Sequence, residues 1–136
     1  MSFNPVQYDD GKLVRLQVAA QTFTKGDALI DNGSGFLSRA VAGTAIDIKY
    51  VAMETITTAA TQGDYLLCIR TPGVIFEADT DANPARTDVG TEADLASAST
   101  INPDASANDL FFIEDIVGAV TNNKVRGWFL GGVPNS

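Results

Sequence analysis

Apolar and polar residues alternate with a period of two along much of the chain, which is the signature of half-buried β-strands. Over residues 12–20, Val14, Leu16 and Val18 fall on one side and Leu13, Arg15 and Gln17 on the other. The short apolar run 28–30 and the segment 36–41 flank Asp31, Asn32, Gly33, Ser34 and Gly35, turn chemistry that predicts a hairpin. Ile46, Ile48 and Tyr50 alternate against Asp47, Lys49 and Val51, and the β-branched run 55–58 follows. Residues 65–69 are continuously apolar, which predicts a central strand covered on both faces. Pro72 and Gly73 turn the chain into 74–78, and 110–113 and 125–130 read as two further strands. The link 121–124 places two asparagines where positive φ is needed. Residues 90–95 read as one helical turn with Thr91 as N-cap and Asp94 at the N3 position, and 102–108 as a loop. With roughly seven to nine short strands and frequent turns, the chain is expected to be an all-β barrel or sandwich.

A local echo runs through this pattern. Thr24, Gly26, Asp27 and Leu29 recur at the same spacing as Thr61, Gly63, Asp64 and Leu66, and a third glycine-led segment begins near Val89 and Gly90. The physical content is a corner: glycine supplies the bend, aspartate bonds nearby backbone N–H groups, and an apolar strand follows. Reuse of turn chemistry accounts for it without duplication.

At 136 residues with 45% apolar side chains, the chain suffices for one core and not for two. Residues 12–130 form the expected single domain, preceded by an extended N-terminal arm over 1–11 and followed by a flexible tail, 131–136. In the arm, Pro5 favours extended backbone, and Phe3, Val6 and Tyr8 give it apolar anchors that a purely solvated tail would lack. The start has neither a basic stretch nor an apolar core of a signal peptide, and no apolar run reaches bilayer length. The net charge is −8, with ten acids and one base between Glu77 and Asp115, a balance that repels nucleic acid and anionic membranes.

Candidate chemistry is sparse. There is no histidine, so the commonest general base and nitrogen ligand are missing. The single Cys68 lies in an apolar run, where a thiol behaves as a small hydrophobe. Asp79, Asp81 and Asn83 open a calcium-loop pattern, but Pro84 and Gly90 stand where the loop glycine and closing glutamate are required, so a solvated acidic loop is expected. Glu114 and Asp115 are adjacent on a strand and point to opposite faces. Trp128 with Phe129 offers either packing or a sugar-stacking platform. No catalytic, metal or cofactor set emerges, and no enzyme activity is expected.

The segments GDALIDNGSGFLSRA, AMETITTAATQGDYLLCIRTPGVIFEADTD, VGTEADLA and NNKVRGWFLGG, in this order in a small acidic β-chain, resemble the decoration (cement) and related structural proteins encoded near the major capsid protein of tailed bacteriophages. The resemblance covers most of 12–130. It implies a β-barrel or β-tulip-like subunit, a homotrimer on the outer capsid surface of the virion, made in the host cytoplasm and bridging neighbouring capsomers. Its partners would be the major capsid protein and itself, with no nucleic acid and no membrane. The matching N-terminal arm would attach by strand addition, with Phe3, Pro5, Val6 and Tyr8 as the partner-binding residues. A head–tail connector, a tail-tube subunit and a carbohydrate-binding β-module are the alternatives.

Overall fold

The alternating segments become strands, and the computed structural model, which describes residues 3–56 and 59–130, is all-β. Met1, Ser2, Thr57, Thr58 and the tail 131–136 lie outside the described residues. Six strands form the first sheet: β1 (Phe3–Gln7), β7 (Ile75–Thr80), β8 (Glu92–Ser97), β9 (Thr100–Asn102), β10 (Phe111–Ile116) and β11 (Lys124–Phe129). Their order is β1-β7-β11-β10-β8-β9, and β9 returns to run parallel to β7 through the pairs Asp79–Thr100 and Thr80–Ile101. β7, β11, β10, β8 and β9 therefore close into a five-stranded barrel, and β1 adds alongside residues 75–78 of β7.

The second sheet is antiparallel: β2 (Leu13–Gln17), β6 (Tyr65–Arg70), β5 (Tyr50–Ala52), β3 (Ala28–Asp31) and β4 (Leu37–Arg39), in that order. A single parallel bridge, Val18 to Leu37, brings its two ends together. β6 lies between β2 and β5 and is apolar on both faces, as its uninterrupted run predicts. Leu66 and Cys68 join Val18, Phe23, Leu29 and Leu37 in a small cluster, while Ile69 faces the main core with Val51 and Ala28. The main core is built on aromatic rings inside the barrel. Phe129 contacts Phe3, Phe76 and Phe111 at centroid distances of 4.8, 5.3 and 5.1 Å, at inclined or edge-on angles that suit the ring quadrupoles.

Two expectations are corrected. Residues 92–97 are strand, not a helical turn, because the edge of β10 and the whole of β9 offer them ladder partners. Of the alternating stretch 46–53, only Tyr50–Ala52 is strand; the Ile48 carbonyl accepts from the Thr71 hydroxyl and the Lys49 carbonyl from the Thr71 N–H. The predicted hairpin of β3 and β4 is present, with Asp31 Oδ1 accepting from the Gly33 N–H at 2.7 Å.

The echoing corners share one geometry. In each, the aspartate carboxylate accepts from the N–H of the threonine three residues earlier, at 2.9 Å for both Asp27 and Asp64. Gly26 and Gly63 have φ of 95° and 97°, a region that only glycine enters without strain. Each Gly–Asp pair then clamps a single residue of the opposite segment. Gly26 donates to the Ala52 carbonyl while Ala52 donates to the Asp27 carbonyl, and Gly63 and Asp64 treat Val18 in the same way. Gly90 and Thr91 repeat the clamp on Ile113. Two residues opposing one is a β-bulge, which bends the strand and increases its twist.

Cys68 is fully buried, and its thiol donates to the Leu66 carbonyl at 3.3 Å. Burial, with a smaller contribution from the Glu54 charge, pushes its pKa up from the ordinary 9.0 to about 12. The folded state thus keeps the proton longer than the unfolded chain does. This contribution to stability is fully present below pH 9 and is lost as pH rises through about 12. Native protein at pH 8 is expected to resist a thiol-alkylating reagent, with complete labelling once urea unfolds it. Rapid labelling of the native state contradicts this burial.

Candidate interaction surface

The N-terminal segment is not free. Phe3 is 1% exposed and sits against Phe129 and Phe111, so it is a core residue of this chain and not an anchor presented to a partner. The reason is main-chain pairing: β1 is extended, as Pro5 dictates, and the edge of β7 accepts it in register, with Phe3 opposite Ala78 and Pro5 opposite Phe76. Pro5 lacks an N–H and is tolerated because β1 is an edge strand. Val6 stands at a bulge between the Pro5 and Gln7 pairs and is 44% exposed; Tyr8 follows the strand and is 42% exposed. The structure therefore parts the four residues: Phe3 inside, Pro5 half-buried, Val6 and Tyr8 on the surface.

Alternation on the barrel strands places a second group outside. On β11, Val125 and Phe129 are buried, and Lys124, Arg126 and Trp128 face outward. On β7, Phe76, Ala78 and Thr80 are buried, leaving Ile75, Glu77 and Asp79 on the outer side. Trp128 is the cross-strand partner of Phe112, and their rings stack at 4.8 Å and 25°. Trp128 also shares a shallow apolar cleft of about 260 Å³ with Ile75 and Gly73. Ile75, Trp128 and Phe112 thus form a half-buried row across the outside of the barrel. Trp128 and Phe129 do not make one platform, since adjacent strand residues point to opposite faces.

The charged residues beside this row are largely matched. Arg126 pairs with Glu114 at 3.0 Å, Lys124 with Asp79 at 2.8 Å, and Arg86 with Asp115 at 3.0 Å. The Asp115 carboxyl is held below its ordinary value, first by the Ile116 N–H and then by Arg86. Asp79 engages Lys124, and among the described residues no three carboxylate or thiol groups converge as metal ligands.

At the Phe112 end the row runs into an open groove of about 750 Å³, walled by residues 88–92 on one side and 103–109 on the other. One wall is fixed from beneath. Asp94, only 6% exposed, accepts from the N–H groups of Ala107, Asn108 and Asp109 at 3.0, 2.8 and 2.9 Å, and its own N–H donates to the Ala105 carbonyl. The sequence marks Asp94 as a capping residue; it does cap N–H groups, but those of a loop thirteen to fifteen residues later. Asp109 adopts φ 52° there, a left-handed conformation that aspartate tolerates better than most side chains. Neither the row nor the groove is visible in the local sequence, because both depend on which side of a closed barrel each residue faces.

Comparison with protein-family models, curated proteins and solved structures finds no match for this chain.

Proposed function

We propose that this chain is a capsid decoration protein that binds the outside of a phage head and stabilises it by bridging neighbouring capsomers. The reading starts from the sequence resemblance, and one observation carries it further: the outward-facing, half-buried row of Ile75, Trp128 and Phe112 on an otherwise acidic barrel. A contiguous apolar strip rimmed by ion pairs is the anatomy of a protein interface, and tryptophan is enriched among residues that dominate binding. A standard interface takes ~800 Å² per partner, so a barrel of this size has area for contacts with both sister subunits and the shell. Homotrimerisation multiplies weak contacts into a slowly dissociating attachment. Net acidity suits the outer surface of a DNA-filled head and opposes a place within it.

The test compares heads assembled with and without the chain on a temperature ramp, following DNA release by dye fluorescence. Heads carrying the protein are expected to rupture at a higher temperature. Equal rupture temperatures with the protein demonstrably absent from sedimented heads overturn the proposal, as does assembly of the purified chain into tubes.

A further inference from the structure

We infer that the aromatic row and the groove at its end form one docking site for an extended, basic segment of a partner protein, with lysine or arginine side chains next to a large apolar one. The inference rests on the decoration reading only for the source of the segment, which would be the shell subunit. The apolar half of the site is Trp128 stacked on Phe112, with Ile75 beyond it. Phe112 also lines the groove, so the apolar strip and the groove are continuous.

Charge selects the occupant. Asp88, Glu92, Asp104 and Asp109 line the groove, and no basic side chain does. Beside the row Asp79, Glu114 and Asp115 have cationic partners within 3.0 Å, whereas among the described residues none of the four groove acids forms an ion pair, and only Asp88 has its carboxylate engaged, by the Ala85 N–H at 2.7 Å. A small metal ion does not answer this arrangement, because the carboxylates are spread around an open groove and do not converge. A long cationic side chain does: its charged end reaches the carboxylates while its aliphatic or guanidinium part lies on the aromatic rings. The wall held by Asp94 is already formed, so docking orders little of this chain. Nucleic acid and anionic lipid are repelled by the same field.

Trp128 is the only tryptophan, which makes its emission a reporter placed on the site itself. The experiment titrates the full chain with an amidated seven-residue peptide alternating lysine with phenylalanine or valine, and with its glutamate-for-lysine counterpart. The lysine peptide is expected to shift Trp128 emission saturably and the glutamate peptide to leave it unchanged. The triple variant E92Q/D104N/D109N is expected to weaken binding at least about tenfold. The triple variant D10N/D47N/D81N, altered at exposed sites outside the groove, has the same net charge and is expected to retain the affinity.

Equal losses in the two variants overturn the inference, since they reveal only long-range attraction. Unchanged emission up to millimolar peptide also overturns it, as does emission that varies with the chain's own concentration, which assigns the face to a second copy. Heads stabilised by a chain that ignores the lysine peptide defeat the docking site and leave the decoration reading standing. Peptide binding without head stabilisation does the reverse.

Discussion

Gly127→Ala is expected to lower the free energy of unfolding by about 3 kcal/mol or more, beyond the usual range for a surface strand substitution. Gly127 lies in the middle of β11 opposite Ile113 and has no left-handed φ, so its requirement is space. A Cβ there would overlap the Phe112 carbonyl oxygen, with the Phe112 carbonyl carbon and the Phe111 ring edge both at 2.9 Å. Two of these neighbours are backbone and cannot rotate away. The methyl group fits only if β10 and β11 move apart, and they meet at a bulge between Ile113 and Asp115 with the Phe111–Phe129 ring contact next to it. In a domain of this size the loss corresponds to a fall in Tm of roughly 10–15 °C. Thermal unfolding followed by Trp128 emission measures it, and a Tm within 2–3 °C of the parent (roughly the effect of a neutral change) would show that the strands separate at little cost.

Phe3→Ala is expected to destabilise the isolated chain by about 3–5 kcal/mol, the range for removing a buried phenylalanine. The side chain is 1% exposed, and its ring lies 4.8 Å from Phe129 and 5.9 Å from Phe111, so truncation opens a cavity at the centre of the aromatic cluster. Urea unfolding should show a lower midpoint with little change in slope. Val6→Ala and Tyr8→Ala, at exposed positions of the same segment, are expected to shift stability by no more than about 0.5–1 kcal/mol. This contrast separates the two roles of the N-terminus. An anchor used solely by a partner would leave the free chain's midpoint untouched when removed, and equal small effects at all three positions would restore that reading for Phe3.

What the sequence discloses and what it hides follow from the range of the interactions. Alternation in 13–18 correctly divides Val14 and Leu16 from Leu13, because both sides of β2 are decided by the residue's own parity. The unbroken run in β6 announces a central strand with Leu66, Cys68 and Ile69 buried, although Tyr65 at its start is exposed and Leu67 half-buried, and the aspartate–glycine turns appear where their chemistry puts them. The helical turn expected at Thr91 fails because capping chemistry is ambiguous: Asp94 needs N–H donors, and the ones it finds belong to Ala107, Asn108 and Asp109. Phe3 reads as an arm anchor because nothing near it in the chain announces β7. The outward stacking of Trp128 on Phe112, and with it the candidate surface, needs the β10–β11 register, which a bulge shifts beyond the reach of simple alternation. A glycine isolated within a strand was the available signal for the tight approach at Gly127.

The glycine corners bear on how the molecule finds its strand alignment. Most pairings join distant parts of the chain, as with β1 and β7 or β2 and β6, and such topologies assemble slowly. The corners at Asp27 and Asp64, by contrast, are each closed by a side-chain bond spanning three residues, and that at Thr91 by its N–H to the Asp88 carbonyl, so each can form before its strand has met a neighbour. Because its paired backbone groups accept one opposing residue only, a slip by a single position would strand them. Ala52, Val18 and Ile113 thereby serve as index marks, and a fold assembled from many short, individually weak ribbons acquires a vernier that rejects misalignment.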